Sequence, residues 1–273
     1  MTHRRGVLER TVEGLYEAME HALYAEHTAA GGGLLQRLDP RVKVAGLLAL
    51  ILASALSARL RVIGAILVLA ILLALLSRIS FWVLATRVWI GALAFTGVIA
   101  VPALFLTPGA PLTQVPALGW IITIQGLTTA NFLILRVETA ATLALLLVFT
   151  TPWSHVLKAL RIFRVPVVFL VILGMTCRYI LLMLETAHEM FESRRSRTVG
   201  LLRGSERRHM AVAGAGVLLS RTFQLSGDVY LAMQSRGFRG EVYVLDEFQM
   251  TLPDWAALAA FATLAAAAVW AGR

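Results

Sequence analysis

Few side chains in this 273-residue sequence have the types and spacing that enzyme chemistry requires. The stretch from His188 to Glu192 resembles the metal-binding helix of zinc proteases, but Glu192 stands where that motif has its second histidine, and no third ligand is evident. A solvated helix face is the favoured interpretation. A phosphate-binding loop needs a lysine followed by serine or threonine, and neither Lys43 nor Lys158, the only lysines, is followed by either. The sequence therefore predicts no metal site in this chain and excludes a P-loop ATPase.

Two charged residues, Arg136 and Glu138, interrupt an otherwise apolar stretch. Ionisable residues within a membrane helix are costly, so each is a candidate for a functional role. Because they are two positions apart, they point to different sides of a helix and cannot simply pair with each other. The sequence leaves two alternatives open: the two residues have a functional role, or they fix the packing of the helices.

Two further arginines lie near the ends of two long predicted helices outside the apolar spans. Arg197 belongs to Ser196–Thr198, and Arg236 belongs to Ser235–Gly237. A guanidinium at such a position could reach the carboxylates of a partner protein. It could equally do no more than complement the dipole of its own helix.

The elements that must position these residues follow from hydropathy. Hydrophobic residues make up 58% of the chain, charged residues 15%, and the mean hydropathy is +0.76, which is more apolar surface than a soluble domain can bury. Five apolar stretches have lengths suited to membrane-spanning helices. They are Val44–Ala58, Val62–Leu76, Trp89–Leu106, Gly126–Phe149 and Asp254–Trp270. The sequence therefore predicts an all-α polytopic membrane protein, with an uncharged Pro/Gly-rich loop within 107–125.

The distribution of arginine predicts the orientation of the spans. The net charge is +9, and most arginines fall within 153–241, which we therefore place on the cytoplasmic side. Val165–Leu184 is apolar enough to cross, but a crossing would move the basic cluster that follows it outside. We expect this stretch to pack along the cytoplasmic side or the interface. Five spans then place the N-terminus inside and the C-terminus outside. This arrangement puts Arg59 and Arg61 outside, against the rule that positively charged residues lie on the cytoplasmic side.

Two long helices are predicted within the basic region. Polar residues recur on one face of the first helix, and the second begins with small residues such as Ala211 and Ala215, which allow two helix backbones to approach closely. The polar face comprises Arg178, Glu185, Glu189, Glu192 and Ser196. We expect the two helices to cross.

A separate amphipathic helix is predicted near the N-terminus, before Gly31–Gly33.

A short string within 232–240 is the most specific signal in the sequence. It consists of Ala232, Met233, Arg236, Gly237, Phe238 and Gly240. Together with Leu38–Lys43 before the first span, it resembles the transmembrane T component of energy-coupling factor (ECF) transporters, in particular the CbiQ type associated with cobalt or nickel uptake. The resemblance extends from about Leu34 to the C-terminus.

The resemblance implies that two short Ala-Arg-Gly-like motifs end two coupling helices that cross as an X. Each motif arginine docks into a groove on one of two ABC ATPase subunits. The motifs correspond to Ser196–Thr198 and Ser235–Gly237, with Ala232, Met233 and Phe238 supporting the second, and Thr198 replaces the family's glycine.

The same resemblance implies a division of labour among subunits. ATP is bound and hydrolysed in the ATPases, and Co²⁺ or Ni²⁺, for uses such as cobalamin biosynthesis, is held by a small CbiM-like membrane subunit. This chain is then a non-enzymatic, multi-pass protein of the bacterial cytoplasmic (inner) membrane that binds no cofactor, no metal and no nucleic acid.

The expected organisation has four parts. They are an N-terminal amphipathic helix (1–33), four membrane helices (34–152), a cytoplasmic coupling domain (153–245) and a last membrane helix (246–273). Two other functions stay open: a membrane-embedded enzyme that uses Arg136, Glu138 or His188, and a stand-alone secondary transporter.

Overall fold

A computed structural model describes residues 14, 32–108, 111–114, 121–197, 204–238 and 250–273. The described helices are α1 (Pro40–Leu56), α2 (Leu60–Leu76), α3 (Phe81–Leu84), α4 (Ile90–Leu106), α5 (Ile124–Thr150), α6 (Trp153–Ile162), α7 (Val167–Arg197), α8 (Gly204–Ser235) and α9 (Leu252–Gly272). The protein is a helical polytopic membrane protein. Apart from residues 14, 32 and 33, the predicted N-terminal amphipathic helix lies outside the described residues.

The chain forms two compact units. One, the membrane unit, includes 26–159 and 248–273, and the other, the coupling unit, includes 160–247. The membrane unit therefore contains α1 to α5 together with α9. The coupling unit contains α7 and α8.

Apolar composition explains the membrane unit. Among the described helices, α5, residues 167–194 of α7, and α9 are long and apolar enough to cross a membrane, whereas α2 and residues 90–104 of α4 are apolar but shorter. All five predicted spans coincide with helices of the structure to within a few residues. The placement of Val165–Leu184 on the cytoplasmic side stays a prediction, because α7 has the length and hydropathy of a span.

Helices α3 and α4, the second of which forms the third predicted span, are parts of one continuous helix with an irregular turn between them. Between α3 and α4 the backbone forms a π-helical turn, Ala85–Trp89, whose flanking residues keep helical dihedral angles. Such a turn inserts an extra residue and shifts the facing of the side chains that follow. The indole Nε1 of Trp89 donates a 3.3 Å hydrogen bond to Thr142 Oγ1 of α5, which fixes this helix against α5.

The loop predicted within 107–125 connects α4 to α5 and contains two short paired strands. Strands β1 (Pro111–Gln114) and β2 (Ile121–Thr123) pair antiparallel, with an irregularity between Pro111 and Thr113. Thr123 then begins α5, since its hydroxyl accepts the backbone N–H of Gly126. The sequence did not predict these strands, which are too short to show a strand pattern.

Helices α1 and α9 run parallel to each other. The backbone N–H of Asp39, just before α1, donates to Asp254 Oδ1 in the first turn of α9 at 2.8 Å. At the other end, the N–H of Ala58 donates to Gly272 O at 2.9 Å. Gly272 is required at this contact, because a Cβ there would lie 2.6 Å from Ser57 Oγ. The start of α1 is thus hydrogen-bonded to the start of α9, and the end of α1 to the end of α9.

A buried lysine joins a third helix to this pair. Lys43 Nζ in the first turn of α1 donates a 2.9 Å hydrogen bond to the carbonyl of Thr150, the last residue of α5. The start of α1, the end of α5 and the start of α9 therefore lie together, at one end of the membrane unit.

Candidate functional site

The end of α8 has the hydrogen bonds of a Schellman motif. Gly237 has a positive φ of 73°, its N–H donates to Gln234 O at 2.9 Å, and the N–H of Phe238 donates to Met233 O at 3.0 Å. This pattern satisfies carbonyls that a helix end otherwise leaves unpaired. The string of residues that carries the family resemblance is, in physical terms, a helix-stopping sequence.

The Schellman motif explains the residues around Arg236. Met233 and Phe238 occupy the two positions whose side chains commonly pack across such a turn. Ser235 Oγ donates to Ala232 O at 2.9 Å within the last helical turn. Arg236 itself lies between the helix and the left-handed glycine, and its side chain is exposed. The turn therefore holds the backbone of Arg236 while leaving its guanidinium available to a partner.

The end of α7 carries the other motif arginine. Arg197 is the last residue of α7 and is exposed, and the neighbouring Ser196 Oγ donates to Ser193 O at 2.8 Å. Thr198 lies outside the described residues. Both motif arginines are thus at the C-terminal ends of long helices, as predicted.

Helices α7 and α8 pack antiparallel. Thr222 Oγ1 of α8 lies 3.5 Å from Met183 Sδ of α7, and Arg194 Nη1 of α7 donates to Met210 O of α8 at 2.8 Å. The start of α8 is therefore next to the end of α7. Arg197 and Arg236 lie toward opposite ends of the helix pair, separated along α8 by roughly 40 Å at 1.5 Å per residue.

A glycine lies at a tight contact between α7 and α8. A Cβ on Gly214 would lie 3.1 Å from Met190 Cε and 3.5 Å from Arg194 Nη1 of α7. Ala211 is only half-buried and Ala215 is exposed. Among the small residues predicted to allow a close approach, Ala211, Ala213, Gly214, Ala215 and Gly216, the structure places Gly214 against α7.

The predicted polar face of α7 is exposed throughout. Arg178, Glu185, Glu189, Glu192 and Ser196 all have exposed side chains. Glu189 of α7 and Arg221 of α8 both line an open groove between the two helices. Among the residues that the structure describes, no group of three or more His, Cys, Asp or Glu side chains could hold a metal ion.

The intramembrane arginine reaches a helix end. Arg136 Nη2 on α5 donates a 2.8 Å hydrogen bond to the carbonyl of Ser57, the C-cap residue of α1. A cation is favoured there, because helix C-termini carry partial negative charge and unpaired carbonyls. Arg136 therefore fastens α5 to the turn between α1 and α2.

The neighbouring carboxyl group has a different environment. Glu138 is 6% exposed, and neither of its carboxylate oxygens has a hydrogen-bond partner among the described residues. As the two-residue spacing predicts, Arg136 turns to Ser57 and does not pair with Glu138.

Sequence reasoning treated Lys43 as a lysine that cannot belong to a phosphate-binding loop and as the last residue of the Leu38–Lys43 string that carries part of the family resemblance. The structure places it at 1% exposure, with Asp39 and Asp254 close enough to attract its charge. Neither sequence observation predicted that Lys43 binds the end of α5.

Comparison with known proteins gives two matches. The family model CbiQ, described as a cobalt transport protein, matches residues 32–244. An uncharacterized protein of Methanocaldococcus jannaschii is 32% identical over 257 residues, a match that covers 92% of this chain and 87% of the relative.

Proposed function

The chain belongs to the CbiQ family of cobalt transport proteins, and from this membership we propose that it is the transmembrane coupling subunit of an ATP-driven ECF importer. Two separate ABC ATPases bind and hydrolyse ATP. A separate small membrane subunit, CbiM-like, binds the Co²⁺ or Ni²⁺ that is transported. This chain transmits the movement of the ATPases to that subunit through α7 and α8.

The observation that carries the proposal is the placement of Arg197 and Arg236. Both side chains are exposed, both end long helices, and they lie toward opposite ends of the α7–α8 pair. One ATPase could not bind two arginines that far apart in the same groove. The arrangement supports two ATPases, each of which receives one guanidinium between its carboxylates.

An exposed apolar stripe on α8 supports a membrane partner. Val212, Leu219, Phe223 and Tyr230 are exposed and lie on one face of the helix at spacings of seven, four and seven. Exposed small residues, Gly216 and Gly227 among them, lie beside the same face. Large exposed apolar surfaces commonly mark interaction sites, and small residues let a partner helix approach closely. We assign this stripe to the substrate-binding membrane subunit.

The hydrogen bonds of the membrane unit support a cytoplasmic position for α7 and α8. The end of α5 and the start of α9 both contact the start of α1, so they lie on one side of the membrane. Among the described helices between them, only α7 has the length and hydropathy of a span. A single crossing could not return the chain to the same side, and the arginine-rich composition favours the inside.

Co-purification tests the proposed function. We expect an affinity-tagged chain, expressed with the ATPases and small membrane proteins of its own cell, to retain two ATPase chains and one small membrane subunit. The isolated chain should neither hydrolyse ATP nor transport cobalt. A purified chain that transported cobalt in proteoliposomes without ATPases would instead establish a stand-alone transporter.

A further inference from the structure

The polar cluster at one end of the membrane unit contains a lysine and two aspartates, all buried. It consists of Asp39, Lys43, Thr150, Thr251 and Asp254 and is called the Lys43 clasp below. Lys43 is 1% exposed, Asp254 5% and Asp39 7%. Buried charges are costly unless paired and hydrogen-bonded, so such a cluster in an apolar protein needs a physical reason.

Each charge of the Lys43 clasp complements a helix end. Asp39 Oδ1 accepts the N–H of Arg41 in the first turn of α1, and Asp254 accepts the N–H and the hydroxyl of Thr251 at the start of α9. Lys43 binds the last carbonyl of α5. Carboxylates favour N-termini and cations favour C-termini, so all three helix ends are fixed by the same cluster.

The position of the clasp in the chain is its distinctive property. After Thr150 the chain leaves the membrane unit through α6 and enters the coupling unit at 160. It returns to the membrane unit at 248, just before Thr251. Two passages of the chain between the units, the one after α5 and the one before α9, therefore lie close in sequence to residues that the Lys43 clasp holds. Any displacement of α7 and α8 must pull on these two points.

We infer that the Lys43 clasp is the anchor that transmits displacement of the coupling helices to the membrane helices, an inference that rests on the proposed function. With the clasp intact, the end of α5 and the start of α9 move as one body with α1. Without the ammonium group, Thr150 O loses its donor, and Asp39 and Asp254 lose their counter-charge. The ends of α5 and α9 then separate from α1 when α7 and α8 are displaced, and the displacement does not reach the substrate-binding membrane subunit. Lys43 is in this sense a positioning residue.

The test is the ratio of cobalt imported to ATP hydrolysed, measured in proteoliposomes that contain the whole complex. We expect Lys43→Met, which keeps an unbranched side chain of similar length, to retain the ATPases and to hydrolyse ATP. Its import per ATP should fall about tenfold or more, the change expected from losing a charged hydrogen bond. Lys43→Arg should recover part of the ratio. Arg61→Met, which removes an exposed cation outside the clasp, should leave it unchanged.

The outcomes separate this inference from the function on which it rests. A wild-type complex that does not couple ATP hydrolysis to import contradicts the proposed function. A coupled wild type with an equally coupled Lys43→Met variant overturns the anchor alone. If Lys43→Met does not assemble, the ratio is read from Asp254→Asn, which keeps the side-chain volume. A lowered ratio there supports the anchor, and a normal ratio overturns it.

Discussion

Gly237 determines where α8 ends and how Arg236 is presented. Its φ of 73° lies in the left-handed region, where a Cβ is strained by about 1–2 kcal/mol, although there is open space around the residue. Under the proposed function the side chain of Arg236 binds an ATPase, and its backbone is held by the glycine that follows it. Thr198, which follows Arg197 in the sequence, has a branched Cβ, which disfavours the left-handed conformation that Gly237 adopts.

A substitution at Gly237 separates backbone geometry from charge. We expect Gly237→Val to weaken ATPase binding by about tenfold, because roughly 1–2 kcal/mol of strain shifts the turn that holds Arg236. Gly237→Asn is the matched control, since asparagine adopts left-handed conformations readily. Binding is measured as the amount of ATPase retained on the tagged chain. Equal retention by the valine variant and the wild type would show that the turn does not matter.

Arg136 and Lys43 are positively charged residues in the apolar part of this protein, and each binds a helix end. Arg136 and Lys43 each donate to the carbonyl at the end of a neighbouring helix, at Ser57 and Thr150 respectively. Since the last carbonyls of a helix have no partner within it, a cation there satisfies them and ties two helices together. The alternative for Arg136 that the sequence left open, a role in helix packing, accounts for its contact with Ser57.

At the scale of elements, the contact between α7 and α8 depends on Gly214. The nearest atom to a Cβ at this position is the flexible end of Met190, so alanine is tolerated, whereas a longer side chain must push the helices apart. Overpacking of this kind typically costs about 1–3 kcal/mol. Gly216, two residues on, faces open space and provides a control on the same helix.

Disulfide trapping measures this contact directly. In a chain whose Cys177 is replaced by serine, cysteines at Met183 and Thr222 should cross-link readily, because these side chains touch in the structure. We expect Gly214→Leu to slow the cross-linking several-fold, as an overpacked contact opens the pair, and Gly216→Leu to leave it unchanged. If the two leucine variants cross-link at the same rate, Gly214 does not lie at a tight contact.

The elements differ in how much of them the sequence could reveal. Membrane helices such as α5 and α9 were predicted to within a few residues, because hydropathy is a local property of the chain. The Lys43 to Thr150 hydrogen bond joins residues 107 positions apart and leaves no local pattern. The same holds for Gly214, whose role depends on the register of α8 against α7 and not on small residues alone. The π-helical turn of Ala85–Trp89 likewise has no sequence signature.

Across the whole molecule, the residues that hold the helices together and the residues that are exposed to partners lie in different units. The membrane unit contributes buried charges at helix ends, and the coupling unit contributes exposed arginines and an exposed apolar stripe. The passages between the units after α5 and before α9 lie close in sequence to the Lys43 clasp. Under the proposed function, conversion of ATPase movement into transport requires that both arginines bind their partners at the same time.

The most direct test of this central claim is the exchange of both motif arginines for glutamate. Leaving a partner's carboxylates buried without a counter-charge costs roughly 2–5 kcal/mol, or on the order of 30-fold to several thousandfold in affinity. Either single variant should depress uptake of radioactive cobalt by cells, and lysine should rescue poorly because it lacks the planar two-pronged donor set. Arg208→Glu, at an exposed arginine near the start of α8 and outside both motifs, is the charge-matched control.

The measurement is made on the double variant Arg197→Glu with Arg236→Glu, in which ATPase retention on the tagged chain and cobalt uptake are followed together. The account predicts that the double variant reaches the membrane but loses both the ATPases and the uptake, while the Arg208→Glu control keeps both. A double variant that retains its ATPases and takes up cobalt at the wild-type rate would contradict it.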